Sequence, residues 1–569
     1  MSPARALISM VRAFHDWTGR RISTLDTLER RGIGRFLETC DPDALEAEGR
    51  RLTLAAFQRA AKRVPAYREL LGKEGVAPES VTTLEDFRRR VPITGKHNTF
   101  ATFPIDRLCV DGDPGDLASV VTSSGHSGIF AFGLTGRSET AADTRAVDFA
   151  LDYHFAAGSR RTLLVNVLPM GVKVSSRLCT VADVSVREDM ALGIIKALGP
   201  RYDQIILLGD PNFIKLLLEE GRDHYGIDWR HILLHVVVGE EYVSETWRTY
   251  IAGLIGSADP SDRDEGMVAF TMGAAEIGLN FLTESADIIR LRRGIVENQP
   301  LRDCLACLGN PCTPMIYQYN PLSTHIEEML LGTSGRFRHL LVTTIDPDRR
   351  LPLIRYRLGD MGRIFPYSEF CRRLEEFGAG DLRPRLRLPV AVVLGRNEFI
   401  RATRAASGMT PNFLKDALYR DPQVAGAATG NFRMSLREGR ILVEVQIRPG
   451  AANADPTELA ARFETVLRRQ IASACDQPYF RAFDDCLHNR ELPAGTPREW
   501  INIFETERES LRPFLEKSTG RIFRADGDFL AIRFYPHDEF PYPVDWERKI
   551  SYVRPEDVTV YKEASRLER

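Results

Sequence analysis

Two patterns alternate from Thr162 to Ile255. Thr162 to Leu168, Gln204 to Leu208 and Ile232 to Val238 are short, nearly unbroken apolar runs of the length of strands covered on both faces. Pro211 to Gly221 and Glu245 to Ile255 instead repeat their apolar residues at helical spacing. Strand and helix patterns in alternation predict a largely parallel sheet with helices packed on it. The first 95 residues read as helical. Within Leu52 to Leu71, residues Leu54, Phe57, Ala61, Val64 and Leu71 fall near helical spacing, and Pro65 predicts a break because it has no N–H for the preceding turn. Thr83 and Asp86 ahead of Phe87 predict a capped helix start, and Pro92 ends that helix.

The pattern changes after Val392 to Ile400, where a strand breaks at Gly395-Arg396. A helix (Pro411 to Tyr419), a strand (Ile441 to Ile447), a Gly/Ala/Pro linker (Pro449 to Pro456) and a second helix (Leu459 to Ile471) then describe a small α+β domain. Apolar runs around Phe529 to Phe534 and Ile550 to Val560 fall beyond it. The expected fold class is α/β, with a large N-terminal domain of mostly parallel β-sheets covered by helices and a small C-terminal α+β domain. In residue numbers this is a helical region over 1–95, a core over 96–394, the small domain over 395–505 and an extension over 506–569.

Composition narrows the function classes. An apolar content of 43% and a charged content of 27% describe a globular chain, and a formal charge of −2 gives no electrostatic reason for a nucleic-acid or membrane partner. No apolar run reaches the roughly 18 residues of a membrane helix, and the N-terminus lacks a signal-peptide core. Nine cysteines, three of them crowded together, suit a reducing compartment better than a disulfide framework, so the expected location is the cytoplasm.

Several stretches carry candidate chemistry. Val120 to Thr135, VVTSSGHSGIFAFGLT, enters through a β-branched run, crowds Thr122, Ser123, Ser124, Gly125, Ser127 and Gly128 into its middle and leaves through a second apolar run. This predicts strand, tight polar loop, strand. Glycines let successive N–H groups form a concavity and hydroxyls add donors, so the loop suits an anion such as a triphosphate. It lacks the spacing of a Walker loop, and an ordinary surface hairpin is written with the same residues. At Phe270 to Gly278 a strand ends in Gly273 with Glu276 just beyond, which puts a carboxylate where ligands gather in open α/β sheets. The strand ending at Val238 runs straight into Gly239-Glu240-Glu241. In Leu353 to Asp360, LIRYRLGD, alternation puts Arg355 and Arg357 on one face. A Gly359-Asp360 turn there would hold a carboxylate able to accept the paired hydroxyls of a ribose. Cys304, Cys307 and Cys312 form C-x2-C-x4-C, with His325 thirteen residues on. Zinc would accept such ligands, and three free thiols fit the spacing equally.

The order and spacing of TSSGHSG (122–128), VGEE (238–241), MGAAE (272–276), RYRLGD (355–360) and GRNE (395–398) resemble the motifs of the adenylate-forming ligases. Within that superfamily the pattern is most similar to phenylacetate-CoA ligases and their relatives, including acyl-protein synthetases. Val64-Pro65-Ala66-Tyr67, Leu84-Glu85-Asp86-Phe87, Val91-Pro92 and Lys96 fit the same branch. The resemblance implies ATP-dependent activation of an aryl or fatty acid to an acyl-adenylate with release of pyrophosphate, then acyl transfer to CoA. Transfer to an amine, a carrier or a protein nucleophile is the alternative acceptor, and a binding protein that retains the fold without turnover is the alternative class.

By the same resemblance, Thr122, Ser123, Ser124, Gly125, Ser127 and Gly128 wrap the β- and γ-phosphates of ATP, while Gly239, Glu240 and Glu241 border the adenine and acyl pockets. Gly273, Ala275 and Glu276 line the nucleotide, with Glu276 as the Mg²⁺ ligand. Asp360 and Arg396 take the ribose hydroxyls, and Glu398 stands at a hinge about which the small domain moves between half-reactions. Cys/His metal insertions in related chains add weight to zinc at Cys304, Cys307, Cys312 and His325. The departures are specific. Ile129 stands where the phosphate loop usually has a lysine, Met272 and Ala275 replace a tyrosine and a hydroxyl residue, and Ala406 replaces a glycine that lets a pantetheine arm pass. No lysine occurs in Leu492 to Arg498, where the late catalytic lysine belongs, which leaves Lys517 as the displaced candidate.

Overall fold

The structure is a computed structural model that describes residues 23–123, 129–239, 241–306, 312–330, 338–396, 411–437, 440–475, 485, 491–492 and 530–541. The N-terminal helices break as the prolines predict. One runs Pro42–Arg63, and the next, Pro65–Lys73, begins on Pro65. Thr83 caps Leu84–Arg90 reciprocally with Asp86, each side chain accepting from the other's backbone N–H. Phe57, Tyr67 and Phe87 interlock from these three helices, with the Phe57 and Phe87 rings edge-on at 5.6 Å, and this cluster buries Ile354. The helices therefore brace the chain just before RYRLGD.

Strands β1 (Leu117–Thr122) and β2 (Phe132–Gly136) form an antiparallel hairpin of their own. Among the described residues the main sheet has eleven strands. Strands β3 (Thr162–Asn166), β4 (Cys179–Asp183), β5 (Gln204–Gly209), β6 (Leu234–Val238) and β7 (Val268–Ala274) run in the order β4-β3-β5-β6-β7, and all of these pair in parallel. From β7 onward every pairing is antiparallel, through β8 (Gly278–Thr283), β9 (Met315–Gln318), β13 (Val390–Arg396), β12 (Tyr356–Phe365), β11 (Arg338–Thr344) and β10 (Thr324–Leu330). The parallel half is the stretch whose strand and helix patterns alternate. Its inner strands β3, β5 and β6 are buried on both faces almost throughout, whereas β4 at the edge is partly exposed.

Among the described residues the small unit has three strands, β14 (Ala428–Arg437), β15 (Arg440–Ile447) and β16 (Leu530–Tyr535). β16 comes from beyond residue 505 and pairs in parallel with β15, Ile441 to Gln446 against Leu530 to Tyr535. The Pro456–Cys475 helix makes the crossover that a parallel pair requires, and Phe463 from it meets Phe534 edge-on at 6.0 Å. Part of the extension is thus a structural strand of the small unit. Among the described residues no helix is long and apolar enough to cross a membrane.

Candidate active site

The ends of β5, β6 and β7 lie side by side, and ligands of open α/β sheets gather at this carboxyl edge. Gly239 leaves β6 so close to β7 that an added Cβ would stand 3.1 Å from the Thr271 carbonyl oxygen. β7 turns through Ala275 to Ile277 into antiparallel β8, which puts Glu276 at the border between the two halves of the sheet. Glu276 is 4% exposed, and its Oε1 accepts the Tyr356 hydroxyl hydrogen at 2.9 Å. The Tyr356 ring meets Phe100 edge-on at 6.4 Å, and Phe100 meets Phe132 of β2 at 6.2 Å. Arg349 Nη2 donates to the Glu276 carbonyl oxygen at 2.6 Å. A Cβ on Gly133 would fall 1.8 Å from the Ala275 carbonyl oxygen, so the β1–β2 hairpin rests directly on the backbone of the Glu276 turn.

The polar loop of that hairpin closes on Ser123. Ser123 N donates to Ala131 O at 2.9 Å, and Ala131 N donates back to Ser123 Oγ at 2.9 Å. Lys96 Nζ donates to the same Oγ at 3.1 Å. It reaches there because Thr94 bridges the start of β12, donating to Arg355 O at 3.1 Å and accepting from Arg357 N at 2.8 Å. Thr122 ends β1 beside this anchor, while Ser124, Gly125, Ser127 and Gly128 lie outside the described residues.

Asp360 and Arg396, separated by 36 positions in the sequence, are register partners on β12 and β13. Asp360 is buried within the strand, and the expected Gly359-Asp360 turn is instead a kink inside β12, where Gly359 has φ +94°. The expected shared face for Arg355 and Arg357 is also corrected. Arg355 takes φ +48°, an uncommon conformation for a residue with a Cβ, which turns it inward while Arg357 stays exposed. Its guanidinium Nε donates to Glu327 Oε1 at 2.8 Å, and the Arg355 backbone N–H donates to Thr343 Oγ1 at 3.0 Å. Such a backbone costs about 1–3 kcal/mol and persists because these buried partners determine it. Glu241 pairs with Lys415 from the Pro411–Leu418 helix of the small unit. Glu240, Glu398, Ala406, residues 493–498 and Lys517 lie outside the described residues.

The zinc expectation fails on sheet topology. Cys312 enters β9 and His325 lies on β10, and β13, β12 and β11 stand between those two strands. Four strand spacings come to roughly 19 Å, far beyond the reach of one tetrahedral ion. Burial holds the His325 ring down at about 3, and its Nε2 lies 3.9 Å from Glu327. Cys304 is half-buried beside Arg363 and Arg373, its thiol pushed up by burial, while Cys307 lies outside the described residues. Among the described residues no three His, Cys, Asp or Glu side chains form a group able to hold a metal ion.

No family model and no curated protein matches the chain. Solved structures do match it. 2-Hydroxyisobutyryl-CoA ligase in its postadenylation state with 2-HIB-AMP superposes with a TM-score of 0.54 at 16% identity, covering 76% of this chain and 86% of that one. The same ligase with R3-HIB-AMP gives a TM-score of 0.53 at the same identity and coverage. The chain has the adenylate-forming ligase fold. Gly133 of the β1–β2 hairpin packs on the Ala275 carbonyl and Tyr356 of β12 bonds Glu276, whereas Asp360 and Arg396 pair on β12 and β13, with β9 and β8 between β13 and β7. The sequence alone did not reveal the contacts of Lys96, Tyr356, Arg349 and Lys415. Lys96 and Tyr356 sit inside recognised patterns and were within reach of sequence reasoning, whereas Arg349 and Lys415 find their partners only through tertiary contacts.

Proposed function

We propose that the protein uses ATP to convert an aryl or fatty acid to its acyl-adenylate and then passes the acyl group to a nucleophile, CoA first and an amine or carrier thiol second. The observation that carries this reading is the register pairing of Asp360 with Arg396 on the same adenylate-forming fold whose sheet edge holds Glu276, Gly239 and the anchored β1–β2 loop. In this reading Ser123 and Lys96 hold the β- and γ-phosphates. Lys96 brings a cation to the loop from another segment, which answers the lysine missing at Ile129. Asp360 accepts the ribose hydroxyls, with Arg396 beside it, and Gly239 and Glu241 border the adenine and acyl pockets.

Glu276 fits Mg²⁺. It is a buried hard oxygen donor with Oε1 steadied by Tyr356 and its turn held by Arg349. When bound, the ion offsets the repulsion between the substrate carboxylate and the triphosphate. The acid's oxygen attacks the α-phosphorus, the bond from that phosphorus to the pyrophosphate bridge breaks, and pyrophosphate leaves. The acceptor's nucleophile then attacks the acyl carbonyl carbon, and AMP leaves with the electron pair of the broken bond. Pyrophosphate release over a panel of aryl and fatty acids tests the reading. At least one acid should raise release well above ATP alone, and Glu276→Gln should abolish it with circular dichroism and melting unchanged. A flat panel, or activity that survives in Glu276→Gln, counts against it.

A further inference from the structure

The stretch that follows β11 sends two neighbouring arginines in different directions. Asp346 turns the chain, its Oδ1 accepting the Asp348 N–H at 2.9 Å. Arg349 then reaches the Glu276 carbonyl, while Arg350 lies against the base of the β1–β2 hairpin. An added Cβ on Gly115, just ahead of β1, would stand 2.9 Å from Arg350 Cζ, and one on Gly136, the last residue of β2, would stand 3.7 Å from Arg350 Cγ. The arginine therefore covers both strand ends. Glu139 joins these parts. It stands in the first turn of the Arg137–Phe155 helix and is 6% exposed. Its Oε2 accepts the Gly136 N–H at 2.7 Å, and its Oε1 accepts the Arg350 N–H at 2.9 Å from a segment 211 positions on. Burial pushes the carboxyl up from its usual range. The Gly136 N–H, the Arg349 guanidinium and the Arg350 N–H pull it back toward the ionised form that accepts both bonds, with Asp346 opposing. A second pair, Arg137 with Asp116 at 2.6 Å, spans the same hairpin base with both side chains more than 70% exposed. Open to water, it adds little, whereas loss of a buried acceptor strands an N–H where water does not replace it.

We propose that Glu139 is a positioning residue that clasps the base of the β1–β2 hairpin to the 349–350 segment, so that the loop anchored at Ser123 and the turn that carries Glu276 are set by the same stretch of backbone. Its consequence for turnover rests on the function proposed above; the contacts do not. In that reading the hairpin holds the phosphates and Glu276 holds the cation beside them, and both must be aligned when the bond to pyrophosphate breaks. Glu139 acts only through the backbone of Gly136 and Arg350. Helix capping is the other role its position allows, and side-chain chemistry separates the two. Gln at this position still caps a helix, and an aspartate does so at Asp86 of this chain. An amide, however, has one acceptor atom instead of two, and an aspartate is one methylene too short to span both N–H groups.

Hydrogen exchange on the full chain without ligands, read by mass spectrometry, tests the clasp. Glu139→Gln and Glu139→Asp should each speed exchange about tenfold in the 133–136, 349–351 and 275–278 segments together, the effect of losing one hydrogen bond to a charged group on local opening. Arg349→Met, which frees only the Glu276 turn, should quicken 275–278 and leave 133–136 as in the wild type. Quickening confined to the first helical turn at 137–141, or a Glu139→Asp that matches the wild type, overturns the clasp and leaves a cap. Pyrophosphate release with the acid that the panel selects reads the effect on alignment. Glu139→Gln should lower kcat about 10- to 100-fold and leave the KM for ATP within about twofold, because Asp360, Arg396 and Lys96 keep their places. A kcat that stays at the wild-type value overturns the positioning role. A wild type that releases no pyrophosphate with any acid refutes the proposed function, while the exchange result still decides the clasp.

Discussion

Replacing Lys96 with Met removes an ammonium and keeps its stem, which isolates the charge. Lys96 Nζ lies 3.1 Å from Ser123 Oγ, and that oxygen also accepts Ala131 N at 2.9 Å, so the cation sits on the atom that closes the loop. A hydrogen bond to a charged group is worth about 1.5–3 kcal/mol, or about 10- to 150-fold in an equilibrium or a rate. Lys96→Met should lower ATP affinity or the rate of pyrophosphate release by that factor. Lys96 is only half-buried, so the melting temperature should stay near the wild type. Ser123→Ala removes the anchor and leaves the lysine. If Lys96 acts through Ser123, the double variant should lose less than the sum of the single losses. The assay is equilibrium ATP titration with pyrophosphate release at two salt concentrations, since a partly exposed cation facing a triphosphate weakens as salt rises. Wild-type affinity and rate in Lys96→Met, or fully additive losses in the double variant, would refute the reasoning.

Two further outcomes follow from the geometry. Asp360→Ala should weaken ATP binding by about 1.5–3 kcal/mol through lost charged hydrogen bonds to ribose, measured by the same titration; an unchanged affinity removes Asp360 from the nucleotide site. His235 is buried, accepts Met267 N at Nδ1 and faces Gln204 Oε1 with Nε2, and burial holds its ring down from 6.5 to about 3, with Arg160 opposing and Asp264 favouring its charge. A folded value below the unfolded one means that the unfolded chain takes up the extra proton, so this stability is whole above pH 6.5 and drains away as pH falls toward 3. At pH 5 the loss is about 2 kcal/mol, and His235→Gln should flatten urea stability between pH 7 and 5 by that amount; an unaltered slope contradicts it.

Local chemistry made part of this molecule legible. The break at Pro65, the Thr83–Asp86 capping box and strands β3, β5 and β6 follow from residues a few positions apart, and each formed within a few residues of its expected bounds, whereas edge strand β4 was not expected. The antiparallel half did not read the same way. β9 lies between β8 and β13, a neighbour more than 70 positions on, and side-chain alternation reveals which face of a strand is buried without naming its partner. β16 was visible as an apolar run, yet its parallel pairing with β15 depends on a crossover of some 80 residues. The inward turn of Arg355 is illegible for a different reason: its positive φ depends on Glu327 and Thr343, which reach it through the sheet. A single motif places its own residues, as with Glu276 just beyond β7, but it does not reveal a contact that joins two motifs, as with Lys96 on Ser123.

The substitution at Ala275 looks like damage when read in the sequence and is mild when read in the structure. A hydroxyl is gone, but what joins the β1–β2 hairpin to the Glu276 turn is backbone: the Ala275 carbonyl lies where a Cβ on Gly133 would be, and Arg349 holds the next carbonyl along. A side chain at 133 would push the hairpin off the turn, whereas a different side chain at 275 leaves the carbonyl where it is. The glutamate is steadied from a third direction by Tyr356, on a strand that the missing hydroxyl does not touch. Gly133, Arg349 and Tyr356 therefore hold the turn through contacts that do not use the side chain that changed. The stringent position is Gly133, which none of the five motifs contains.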